Sequence, residues 1–149
     1  MSYQPTSLSI SLGQYKLSKS TGYLNTNDYL TFTAISALSG ASINADELTL
    51  PRGQYLVEAC LSADRTSGDR SKCEYRIELD GTLVGTQGAL DYYASGTVGN
   101  ISCDSAAAEF QISEDTVLKV KITTADLNGA WGSTAASNNY SSVLIRRRS

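Results

Sequence analysis

Leu50-Pro51-Arg52-Gly53-Gln54-Tyr55-Leu56-Val57-Glu58-Ala59 decides the fold of this 149-residue chain. Pro51 and Gly53 punctuate its start. From Gln54 to Ser62 the residues alternate, so that Tyr55, Val57, Ala59 and Leu61 form one apolar row. That is a strand with one dry face. Tyr75-Arg76-Ile77-Glu78-Leu79-Asp80-Gly81 repeats the pattern, with Tyr75, Ile77 and Leu79 on one side and Arg76 and Glu78 on the other. Its Asp80-Gly81 signals a two-residue hairpin, because both central positions of such a turn need positive φ. The turn predicts that Ile77 pairs with Val84. A third row runs through Ala106, Ala108, Phe110 and Ile112. Glu114-Asp115 then turns the chain into Leu118, Val120 and Ile122, with Lys119 and Lys121 outward.

Outward from these phrases the signal weakens. Leu8-Ser9-Ile10-Ser11-Leu12 alternates with a period of two, which predicts a strand whose leucines and isoleucine face the core. Tyr29 to Thr33 is rich in aromatic and β-branched residues and reads as another strand. Residues 34–44 are small and polar and read as a loop or irregular edge. Three further loops are predicted: a polar one over 64–72, a Gly/Ser/Tyr-rich one over 88–100, and one from Thr124 to Asn139 containing Trp131. The last strand spans roughly Tyr140 to Arg147, with Val143 and Ile145 inward. No stretch of useful length has helical period, and no internal repeat divides the chain. About eight short strands separated by turn signals suit a single sandwich or jelly-roll domain over residues 1–149.

Composition excludes several function classes. Twelve basic residues against fifteen acidic ones leave a net charge of −3, which argues against nucleic acid as a general partner. No apolar run approaches the ~20 residues that span a bilayer, so no membrane contact is expected. Met1-Ser2-Tyr3-Gln4-Pro5 lacks the charged start and apolar stretch of a secretory signal, which predicts cytosolic synthesis. Cys60, Cys73 and Cys103 are odd in number and fit no zinc or redox spacing. They read as buried reduced thiols, with an intersubunit disulfide as the alternative. Histidine is absent, which removes the usual general base and a common metal ligand. Scattered acids at turns, Asp80 among them, do not converge as calcium requires. No cofactor is expected.

The three phrases, together with Ser142-Val143-Leu144-Ile145-Arg146, resemble the C1q/TNF-like jelly-roll superfamily, particularly its versions in bacteriophage virion proteins. The resemblance covers roughly Leu8 to Arg147. It implies an all-β jelly-roll sandwich of two four-stranded antiparallel sheets. It also implies a homotrimer with one sheet toward the three-fold axis. That sheet would hold the strands around Leu8–Leu12, Gln54–Ser62, Ala106–Ile112 and Tyr140–Arg147. Its outward rows would then be Ser7, Ser9 and Ser11; Leu56, Glu58 and Cys60; Ala107, Glu109 and Gln111; and Ser142, Leu144 and Arg146.

On that face Leu56, Glu58, Glu109, Leu144 and Arg146 are the candidate trimer contacts. A charge-assisted contact between Arg146 and a glutamate, within or between subunits, would fix register. The alternative is a solvated face whose incidental ion pairs contribute ~0–1 kcal/mol each. Paired carboxylates could cleave glycosides without histidine, and Glu58 and Glu109 could be neighbours on one sheet, but Arg146 would neutralise them there. The chain is therefore expected not to be an enzyme. Tyr92, Tyr93 and Trp131 are candidate contacts with a protein or a cell-surface glycan, or else lids over the sandwich. Arg146, Arg147 and Arg148 form the one basic cluster, suited to an acidic protein surface or simply a solvated tail. The resulting expectation is a virion protein made in the host cytoplasm: a trimer that decorates or cements a capsid through its major capsid protein. The alternative is a receptor- or glycan-binding fibre tip. The sequence shows no shaft, heptad run or collagen-like stalk, which favours decoration.

Overall fold

The computed structural model describes residues 9–19, 24–61, 64–65, 70–95, 98–125, 131–132 and 141–148. Residues 64–65, 70–71, 91–95, 98–103 and 131–132 are described by backbone alone. In chain order the strands are β1 (Ile10–Ser18), β2 (Thr31–Ser36), β3 (Ser42–Asn44), β4 (Glu47–Leu50), β5 (Gly53–Cys60), β6 (Asp64–Arg65) and β7 (Arg70–Leu79). They continue as β8 (Thr82–Ser95), β9 (Val98–Asp104), β10 (Ala106–Ile112), β11 (Thr116–Ala125), β12 (Trp131–Gly132) and β13 (Ser142–Arg148). Among the described residues there is no helix.

One sheet has five strands in the order β10-β5-β13-β1-β2, and the other has six in the order β3-β4-β11-β7-β8-β9. β6 and β12 pair separately. Each pairing of strands is antiparallel. This is the jelly-roll sandwich expected, with larger sheets than four strands each. The extra members are short or were read as loops. β4 lies just ahead of Pro51, and β3 pairs with it across Asn44–Glu47.

The core follows from alternation. Tyr55, Val57 and Ala59 of β5 meet Leu118, Val120 and Ile122 of β11 and Ile77 of β7, all with almost no exposed surface. Each such aliphatic side chain contributes about 1.5–3 kcal/mol by leaving water. Val143 and Ile145 are buried as expected; Phe110 and Ile112 pack only partly against this cluster. Asp80 and Gly81 adopt φ of +44° and +86°, and the hairpin they close sets Ile77 opposite Val84. Asp80 does more than turn. Its Oδ1 accepts from the Val117 amide at 2.9 Å, tying the hairpin to β11.

Three tyrosines lie wholly inside, each with its hydroxyl engaged. Tyr15 accepts from the Leu38 amide at 2.8 Å. Tyr55 donates to the Pro51 carbonyl at 2.5 Å and stacks on Phe110 at 5.5 Å. Tyr75 crosses between the sheets, donating to the Asp104 carbonyl at 2.8 Å and accepting from the Leu61 amide at 3.1 Å. Gly88 permits this: a Cβ there would stand 2.4 Å from the Tyr75 ring.

Four local expectations are corrected. Residues 88–95 and 98–100, expected to belong to a loop, lie in strands β8 and β9. After the Asp80-Gly81 hairpin, β8 stays paired with β7 past a register shift between Tyr75 and Ile77, and β9 covers its other edge. Its backbone groups find partners on both sides, which outweighs weak strand propensity. Tyr92 and Tyr93 are thus strand residues opposite Ser71 and Arg70. Within 64–72, Arg70 already belongs to β7, and Asp64–Arg65 pairs with Trp131–Gly132. Residues 34–44 contain the end of β2 and all of β3, both edge strands, so of the two readings, loop or irregular edge, it is the loop that falls.

The fourth correction concerns β1, whose phase is inverted. Gly13, Tyr15 and Leu17 take the buried row. Ile10 and Leu12 therefore point outward and are 61% and 57% exposed. Strand alternation moves a whole row at once, so Ser11 lies on Tyr15's side and not in the outer row. Ser7 and Leu8 fall outside the described residues.

Candidate functional site

The outer face of the five-stranded sheet is assembled by register. Residues directly opposite in neighbouring antiparallel strands share a face, with Cβ atoms about 4.5–5.5 Å apart. One row across β1, β13, β5 and β10 reads Leu12, Arg146, Leu56, Glu109. The row beside it reads Gln14, Leu144, Glu58, Ala107. A third reads Ile10, Arg148, Gln54, Gln111. At the other end Lys16, Ser142 and half-exposed Cys60 line up.

The residues singled out in the sequence are thus neighbours. Arg146 lies between Leu12 and Leu56, and Leu144 lies between Gln14 and Glu58. The inverted phase of β1 adds Ile10 and Leu12, which sequence reasoning missed. The signal was present: Tyr15 and Leu17 occupy odd positions, and carrying alternation back from them puts 10 and 12 on the opposite face. Four aliphatic side chains now share one face, where only Leu56 and Leu144 were expected.

The charges on this face are unspent among the described residues. Among the described residues no carboxylate forms an ion pair with Arg146, and Glu58 and Glu109 pair with no cation. The ion pairs that do form lie elsewhere, such as Lys119 with Glu47 at 3.2 Å and with Asp46 at 3.4 Å, beside the Tyr29 ring. A hollow of about 270 Å³ opens between Ile10, Gln54, Leu56, Glu109, Arg146 and Arg148.

The other candidates separate. Arg147 turns to the opposite side of β13 from Arg146 and Arg148, with its Nη2 donating to the Arg52 carbonyl at 2.7 Å. Trp131 is a strand residue opposite Arg65; its side chain, like those of Tyr92 and Tyr93, lies outside the described features. Cys73 is buried, and burial first, then the nearby Glu74 charge, push its thiol up to about 12. It is a protonated core residue rather than a reactive one. Cys103 lies opposite Leu90, its side chain undescribed. Among the described residues no cluster of three or more Cys, Asp or Glu side chains could hold a metal ion.

Solved structures with this architecture are known. The chain is similar to murine APRIL at pH 8.0, with 15% identity over 93% of this chain and 99% of that one, at a TM-score of 0.54. The pH 5.0 form of murine APRIL gives 15% identity, the same coverage and a TM-score of 0.53. At such identity the shared property is the fold, a C1q/TNF-like jelly roll. No family model matches the chain, and no curated protein matches it.

Proposed function

We propose that this protein is a non-enzymatic assembly module: a homotrimer that decorates a bacteriophage capsid by binding the major capsid protein. The carrying observation is the outer face of the five-stranded sheet. Ile10 and Leu12 are more than half exposed there, beside Leu56 and Leu144. An apolar patch rimmed by charge is a surface suited to another protein. Arg146, Glu58 and Glu109 supply both signs of charge on that same patch, so a second copy can satisfy what one chain leaves open. Trimerisation then multiplies weak contacts with a repetitive shell through avidity. Arg148, exposed at the end of β13, is the capsid-facing cation in this reading.

Sedimentation velocity tests the first half. Wild type should run as a trimer, and Leu12→Asp should run as a monomer with an unchanged circular dichroism spectrum. A wild-type monomer at every accessible concentration, alone and with shells, refutes self-association. Co-sedimentation with purified capsids tests the second half: binding should vanish on charge reversal at Arg148. Undiminished binding by that variant removes this arginine from the contact.

A further inference from the structure

We propose that the end of the sandwich formed by Arg52, Arg147 and Arg148 is a binding site for a small multivalent oxyanion, phosphate or carboxylate. This goes beyond assembly: the groove shares Arg148, Gln54 and Gln111 with the end of the outer face, but Arg52 and Arg147 lie off that face and allow the two to be tested apart.

Strand geometry creates the site. Successive residues of β13 point to opposite faces, so Arg147 and Arg148 flank the sheet end from both sides. Arg52 joins them from the turn between β4 and β5. Between them runs a groove of about 710 Å³ that Gln54, Gln111 and Ser113 also line. Among the described residues no carboxylate lines it. On a chain whose net charge is −3, three guanidiniums without a lining acid are a concentrated exception.

The central arginine is held for the purpose of presenting its head. Arg147 donates from Nη2 to the Arg52 carbonyl at 2.7 Å. Its Nε is buried without a hydrogen-bond partner. It packs so closely over Gly53 that a Cβ there would come within 2.8 Å of that Nε. With Nε turned away against Gly53, the Nη groups are the donors this anchored guanidinium can offer a carboxylate or phosphate oxygen. Arg52 and Arg148 are exposed and, among the described residues, paired with no acid. Gln54 and Gln111 lie opposite one another and add amide donors along the groove floor.

Isothermal titration at low ionic strength with tripolyphosphate and with citrate tests this. Saturable binding of one anion per groove is expected. Arg52→Gln and Arg148→Gln should each weaken it by about tenfold or more, the scale of a charged hydrogen bond. Lys121→Gln, which removes equal charge from the other sheet, should leave it unchanged. Tighter binding of tripolyphosphate identifies phosphate as the source of the oxyanion, and tighter citrate binding identifies carboxylate. Absence of saturable binding by either anion overturns the proposal. So does an equal loss in Lys121→Gln, which would mean a diffuse response to net charge. Arg52→Gln should sediment as wild type does, which keeps this outcome separate from the fate of the trimer.

Discussion

Tyr75→Phe deletes one oxygen from the core, and its cost follows from what that oxygen touches. The Tyr75 hydroxyl donates to the Asp104 carbonyl at 2.8 Å and accepts from the Leu61 amide at 3.1 Å, in a region with almost no exposed surface. Phenylalanine keeps the ring against Gly88, so the apolar packing is preserved and the loss is polar. A buried donor or acceptor left unsatisfied costs about 1–3 kcal/mol. With Leu61 itself only 2% exposed, water does not replace the lost partner there. The Asp104 residue is exposed, and its carbonyl recovers part of its hydration. The sum is about 2 kcal/mol, dominated by the Leu61 amide. For a domain of this size that corresponds to a fall in Tm of about 4–8 °C. Urea melts of wild type and variant at one matched protein concentration measure it, since self-association makes apparent stability concentration-dependent. The midpoint should fall with the slope unchanged. A midpoint within error of wild type would show that the hydroxyl does not link the sheets, and the argument would fail.

Gly88→Ala presses a methyl group into the Tyr75 ring and within 2.7 Å of the Ala106 amide; overpacking of this kind costs about 1–3 kcal/mol, read in the same melts. Asp80→Ala removes the acceptor of the Val117 amide and a residue tolerant of positive φ, and should destabilise by about 1–2 kcal/mol, whereas Asp80→Asn should be nearly neutral. Cys73 should resist iodoacetamide in the folded protein at pH 8, while half-exposed Cys60 labels. The Cys73 thiol is raised from 9.0 to about 12 by folding, so its contribution is fully present below pH 9 and is lost as pH rises toward 12; alkaline melts should show that decline, and Cys73→Ala should flatten it. Glu74 behaves in the opposite sense: the Lys72 hydrogen bond holds its carboxyl below the usual range, so its contribution is present above the normal carboxylate pKa and lost as pH falls through the lowered one. Glu74→Gln should therefore reduce the acid sensitivity of the melt.

The sandwich was legible because long rows of Val, Ile, Leu and Tyr alternate through Tyr55, Ile77 and Val120, and because Asp80-Gly81 has one good conformation. Two things resisted reading. Residues 88–100 look like a loop because Gly and Asp have low strand propensity; for residues 89–93 pairing on both edges of β8, a tertiary effect, decided otherwise. The phase of β1 was misread because a five-residue window made Ile10 and Leu12 look like core. The buried anchors, Gly13 against Leu38 and Tyr15 bonded to the Leu38 amide, lie just beyond it. The candidate face was legible in Leu56, Glu58, Glu109, Leu144 and Arg146, since register followed from the strands. Its apolar half was hidden, because a hydrophobic row on the wrong side is recognisable only after the opposite row is placed.

The buried tyrosines have a consequence for how strands align. A strand that docks one residue out of place would turn Tyr15, Tyr55 or Tyr75 away from the interior. A slip of two would return the ring inside but leave its phenolic oxygen facing hydrocarbon. Either mistake costs free energy as the sandwich closes, through a ring left outside or an enclosed hydroxyl without a partner, so the correct alignment is favoured. The three side chains therefore act as checks on strand alignment: leucine would also register a slip of one, but, lacking a polar tip, not a slip of two.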